Sequence, residues 1–160
     1  MSNHTEAEKR FEQLHELEQE LIFERFSRSD ALAAGLKAIE VGESYADPIA
    51  VEITMDDLTV FRHLTEGTGT VNEEWLERKR NSVELTKMSS LRFKTELEIN
   101  GETLEDRVPD PERYAAGGGG FPIVLKDKGM IGAICVSGLP DDVDDHQIAI
   151  DALRYVKSQM

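Results

Sequence analysis

Cysteine occurs once in these 160 residues, at position 135. A single thiol excludes an intramolecular disulfide framework and fits a reducing compartment. No apolar run is long enough to span a bilayer, and the opening MSNHTEAEKRFEQ lacks the apolar core of a secretory signal. Basic residues are scarce: 18 Lys and Arg stand against 32 Asp and Glu, a formal net charge of −14. That balance argues against a nucleic-acid backbone as partner, and nothing in the chain suits a membrane. The four histidines, His4, His15, His63 and His146, show no metal-ligand spacing. Nucleophile–base pairs and a nucleotide-binding loop are missing too, so no catalytic residue and no metal site is nominated. These exclusions leave a single-domain, acidic, cytoplasmic protein.

The hydrophobic fraction, 39%, is enough for a core at this length. EAEKRFEQLHELEQELIFERF predicts a helix with a narrow stripe of Phe11, Leu14, Leu17, Leu21 and Phe26. It is expected to pack on a surface or on another subunit. Residues 1–28 are therefore set apart as an assembly element from a domain over 29–160. Ser29-Asp30 is placed as the cap of a second helix with Leu32, Leu36 and Ile39 on its apolar face. PIAVEIT and LTVFRHLT flank Asp56-Asp57 as a β-hairpin, with Ile49, Val51 and Ile53 on one side. Asn72 is placed as the cap of a helix running to Met88, and a further helix ends at Gly101. FPIVLKDKGMIGAICVSG predicts a second hairpin, and DDVDDHQIAIDALRYVKSQM a closing helix. The plan is α+β, with one antiparallel sheet flanked by helices.

Four glycines, Gly117 to Gly120, lead straight into the second hairpin. Glycine suits positive φ or close backbone approach, and a mere tether would not enter a core strand. Gly117 and Gly118 are expected to make the crossover; Gly119, Gly120 and Phe121 either do the same or line a pocket. Lys79 lies in the middle of an arc holding Trp75, Leu76, Ser82, Val83 and Thr86. A lysine on an apolar stripe is costly unless its ammonium is paired. Lys79 therefore forms an internal salt bridge, or points into a pocket to meet a carboxylate or phosphate. Arg78 and Arg80 make this the densest basic cluster, open to anion capture or to surface pairs such as Glu74–Arg78. Asp144-Asp145-His146 opens the last helix, where acids cap; His146 could also face a site near Ser137-Gly138. Cys135, between Ile134 and Val136, is expected to be buried and inert.

The run GGFPIVLKDKGMIGAICVSGLPDDVDDHQIAIDAL resembles the haem-degrading-type, HbpS/GlcG-like family, which includes the C-terminal domain of PduO-type proteins. Trp75 to Val83 resembles that family's lysine-bearing helix. With DDH, it points to a sub-branch of cytoplasmic proteins that includes yeast YBR-type members. Cys135 stands where the family motif usually has glycine. Many members of the sub-branch carry histidines where Met88 and Gly117 stand here, so no histidine ligand carries over. The resemblance implies a profilin-like α/β/α fold, ring-like homo-oligomers and, for some members, haem binding. The expected function is thus a small-molecule-binding homo-oligomer, with haem or another planar anion as ligand. Its site would comprise Lys79, Arg78, Arg80, Gly119, Gly120, Phe121, Ser137, Gly138 and His146. The alternatives are an interaction scaffold presenting the N-terminal helix, and an enzyme acting on a small polar metabolite.

Overall fold

The computed structural model describes residues 2–160, with side chains from Glu6 onward, so the side chain of His4 lies outside the described residues. Two hairpins make one antiparallel sheet. β1 (Ala50–Met55) and β2 (Leu58–Leu64) turn at Asp56 and Asp57, whose φ values of 51° and 65° give the twist a two-residue hairpin needs. β3 (Gly120–Leu125) and β4 (Gly129–Ser137) form the second hairpin, and the spatial order is β2-β1-β4-β3. Val51 pairs with Val136 and Ile53 with Ile134 on one face, which packs on helices α2 (Arg28–Gly42) and α6 (Asp142–Ser158). The opposite face presents Ala50, Ala133 and Cys135 to Leu76 and Val83 of α3 (Thr70–Thr86). With helices on both faces, β1 is buried along its whole length. The α+β plan and the α/β/α layering expected from the sequence are the observed ones.

α2 departs from expectation. Its cap is Ser27, in a reciprocal capping box with Asp30, and not Ser29-Asp30. The helix buries Ala31, Ala34, Gly35, Ala38 and Gly42, leaving Leu32 and Leu36 exposed at 52% and 56%. A Cβ on Gly35 would lie 2.5 Å from the Phe61 ring, and one on Gly42 2.4 Å from Ile49 Cδ1. A helix seated that close to a sheet admits only small residues, which turns its leucines outward. Likewise α3 begins one turn before Asn72: Gly69 is the cap, and its N–H donates to Asn72 Oδ1 at 2.9 Å. α4 (Ser90–Asn100) ends as expected, on Gly101 at φ 65°, and a single turn of helix, α5 (Leu104–Arg107), follows it.

The N-terminal helix α1 (Ser2–Glu20) packs along α4 and buries Ala7, Leu14 and Glu18. Glu18 receives Arg92 in a two-pronged pair (2.9 and 3.1 Å) and the Ser89 N–H (3.2 Å). Just beyond, the Phe23 N–H donates to Val124 O (2.9 Å), and Phe23 O accepts from Lys126 N–H (2.8 Å). The edge of β3 is thereby covered. The stripe meant for a partner in the scaffold alternative is thus largely buried within the chain itself. No described helix is long and apolar enough to cross a membrane.

Candidate ligand-binding site

A cleft of about 800 Å³ opens on the α3 side of the sheet. α3 contributes Asn72, Trp75, Arg78 and Lys79; the connection before β3 contributes Leu104, Pro111 and Tyr114 to Gly117; the β4–α6 junction contributes Ser137 to Pro140, Asp142 and Asp145. Side chains of α3 hold the connecting loop in place. Ser82 Oγ donates to Ala115 O (2.7 Å) and accepts from the Ala115 N–H (2.9 Å), while Asn81 Nδ2 donates to Arg113 O (2.8 Å). Across the cleft, Ser137 Oγ donates to Asn72 O at 2.8 Å.

The floor is an ion pair. Lys79 Nζ, on a residue only 5% exposed, donates to Asp145 Oδ2 (3.1 Å) and to Val136 O (2.8 Å). Asp145 Oδ1 accepts from the Leu139 N–H at 3.2 Å. Burial pushes the Asp145 carboxyl up to about 6, even though Lys79 and these hydrogen bonds pull the other way. Of the two fates open to Lys79, the structure shows the internal salt bridge. Asp145 is therefore a buried partner and not a helix-capping acid; the cap is Asp141, whose side chain accepts from the Val143 N–H. Asp142 is raised by burial but lowered by the Gly118 N–H (2.7 Å) and by Lys94, and its net position is below the ordinary carboxylate range.

Five expected site residues lie outside this cleft. Gly119 and Gly120 are packing positions: a Cβ on Gly119 would fall 2.2 Å from Val136 O and 2.7 Å from Lys79 Nζ, and one on Gly120 2.8 Å from Val83 Cγ2. The close approach expected of the glycine run is real, but Gly117 is the member that lines the cleft. Phe121 is buried in the α2/α6 core. Arg80 reaches away from the cleft to Glu52, at 2.7 Å. His146, a fifth, sits on another side of α6, its ring 5.9 Å from that of Phe121, lining a separate cleft of about 450 Å³ between α1, α4 and α6. Lys79, Arg78, Ser137 and Gly138 do line the main cleft.

Of the basic cluster Arg78, Lys79 and Arg80, Arg78 is the one left without a carboxylate. Among the described residues it makes no ion pair, Glu74 included, and its guanidinium lies 4.9 Å over the ring of Trp75, itself 41% exposed. Tyr114 is a wall that sequence reasoning missed; its only local signal was its place just before the glycine run. Cys135 is buried and pushed up to about 12, chiefly by burial, so its thiol stays protonated and inert as expected.

His146 and Asp145 make opposite demands on pH. Burial lowers His146 to about 4. The unfolded chain therefore takes up that proton below about 6.5 while the fold refuses it, and stability is lost as pH falls from there towards 4. Asp145 is raised, so its contribution is complete below about 4 and is lost as pH rises through 6. His146→Leu removes only the first effect. Relative to wild type it should gain about 2–3 kcal/mol on going from pH 7 to pH 4.5 in urea unfolding; a pH-independent difference would refute a buried neutral imidazole.

Fold and cleft together define an α/β/α domain with a half-open pocket floored by a buried Lys–Asp pair. A model of the Haem degrading protein HbpS-like family matches residues 26–154. The chain belongs to that family. A UPF0303 protein of Streptomyces coelicolor is 35% identical over 143 residues, covering 89% of this chain and 90% of the relative. One from Rhizobium etli is 36% identical over 141 residues, covering 88% and 85%. Among solved structures, Ybr137w superposes with a TM-score of 0.84 at 23% identity, over 94% of this chain and 90% of that one. A PduOC:heme complex gives 0.68 at 19%, over 81% and 93%. These structural likenesses are of fold.

Proposed function

We propose that the protein binds a small planar anion in the main cleft, in the cytoplasm, with haem as the first candidate. The observation that carries this is Arg78: an unpaired cation stacked on an exposed indole at the mouth of a walled cleft. The lining mixes apolar side chains with the carboxylates of Glu105 and Glu112, so an anion would have to enter on the Arg78–Trp75 side, where a guanidinium without an ion pair beside an indole suits a conjugated ring that bears carboxylates. The description of the family and the haem bound in the PduOC structure support the same choice.

The lining residues fit haem in kind. Trp75, Leu104, Pro111 and Leu139 offer apolar surface for the macrocycle, and Arg78 would meet a propionate. Tyr114 is the one lining side chain of a type that ligates haem iron. Bound haem would supply a redox-active iron; what the chain contributes is the cation, the walls and the phenol. Lys79 acts beneath the ligand by holding Asp145, not as the main anion-binding group.

Trp75 is the only tryptophan of the chain, so its emission reports on this cleft alone. Protoporphyrin IX, which lacks the metal, should quench it saturably. Arg78→Ala should weaken that binding roughly tenfold, the loss of one charge-assisted contact. Quenching that never saturates would exclude planar tetrapyrroles from the cleft.

A further inference from the structure

The second cleft, of about 450 Å³ between α1, α4 and α6, has its own chemistry. Its lining runs from Arg10 to Leu17 on α1, Leu91 to Glu98 on α4 and Val143 to Ile150 on α6, about 10 Å along each helix. Leu14, Leu17, Leu91 and Ile150 make much of that lining apolar, and all but Leu17 are buried.

Most polar side chains on these walls are already engaged. Arg10 pairs with Glu98 (2.8 Å) and Lys94 with Asp142 (3.2 Å). Gln147 Nε2 donates to Asp151 Oδ1, and Thr95 Oγ1 to Leu91 O, each at 2.9 Å. His146 differs. It is 4% exposed, and neither ring nitrogen has a hydrogen-bond partner. A buried polar group left in this way costs the fold free energy and calls for an explanation. Both nitrogens are closed to water in this orientation, but the ring borders the cleft. A half-turn about Cβ–Cγ, a soft torsion, exchanges each nitrogen with a carbon of the opposite edge. Whichever edge faces the cleft, a nitrogen can therefore stand on it.

The ring and the rim together select the ligand's chemistry. Burial holds the imidazole neutral, so it offers one N–H donor and one bare acceptor, but no charge. Arg10 and Glu98 neutralise each other, and Lys94 is neutralised by Asp142. An ion would lose hydration here without gaining a counter-charge. A hydroxyl can bond either nitrogen, and the leucines suit an alkyl body.

We infer that this cleft is a second binding site, for a neutral amphiphile whose single hydroxyl bonds His146. An extended chain of about eight carbons spans the same length of about 10 Å. The site shares no lining residue with the main cleft, so the two can be tested separately.

1-Octanol is the probe. Calorimetric titration of the full chain at pH 7 should show one saturable site, and the nitrogen-15 resonances of the His146 imidazole should shift with occupancy. Trp75 emission, which reports on the main cleft, should not change. His146→Leu should weaken binding about tenfold, through the loss of one hydrogen bond. Octanoate, ionised at this pH, should bind less well than the alcohol. Octanol binding that never saturates overturns the inference, as does saturation that leaves the His146 nitrogens unmoved or alters Trp75 emission. A preference for octanoate, or His146→Leu binding as well as wild type, overturns it too. If His146→Leu fails to fold, the wild-type nitrogen resonances decide the matter by themselves.

Discussion

Lys79→Met is expected to destabilise the protein by about 3–5 kcal/mol at neutral pH, because it strands the Asp145 carboxylate in the interior. For a domain of this size that is a fall in Tm of roughly 10 °C. The loss has a pH signature. Asp145 already holds its proton to about 6, and without Lys79 burial alone would raise it further. The variant should therefore suffer less at pH 5 than at pH 8. Lys79→Met with Asp145→Leu should recover much of the loss, since a buried pair replaced whole by apolar side chains is often near neutral. A single variant as stable as wild type at pH 8 would mean that the pair is not buried as described.

Gly119→Ala should be comparably severe, at about 3 kcal/mol or more. Two effects add there. The backbone sits at φ 130°, a region essentially reserved for glycine, which alone costs an L residue about 1–3 kcal/mol. The new methyl would also fall 2.2 Å from Val136 O and 2.7 Å from Lys79 Nζ. Val136 O accepts from Lys79, and the Val136 N–H donates to Gly119 O at 2.9 Å, so the clash dislodges the seat of the ion pair. Gly69→Ala is the control: its φ is −144° and a Cβ there meets nothing within 4 Å, so it should cost only about 0.5–1 kcal/mol, the amount by which Ala is a poorer N-cap than Gly. Equal effects at the two glycines, by thermal or urea unfolding, would contradict the close-approach account.

These two residues show where the sequence was informative and where it stopped. Both hairpins were legible because alternation and the turn residues, Asp56-Asp57 in the first and Asp127-Lys128-Gly129 in the second, are local signals. Lys79 was legible as a problem, a cation on an apolar arc that had to find a partner. Its solution was not, because Asp145 is one of 32 acids and lies 66 positions away. The glycine run was legible as close approach, but which glycine faces the cleft depends on the path of the loop over α3. α2 misled for a physical reason: its alanines and its leucines repeat with the same helical period. Hydrophobicity favours leucine inside, and only the short distance to Phe61 and Ile49 reverses the choice. Arg78 was singled out, but that it alone of its cluster lacks a carboxylate is a tertiary fact.

The central claim, that the cleft takes a planar anion through Arg78 and Trp75, is tested most directly by titrating haemin into the wild type and into Arg78→Ala. The Soret band is the readout. Arg78 makes no ion pair among the described residues and sits at the cleft mouth, so the variant is expected to fold as the wild type does. The account predicts one saturable site per chain and binding weaker by about tenfold in the variant. A Soret change that never saturates, or one identical in both proteins, would contradict it.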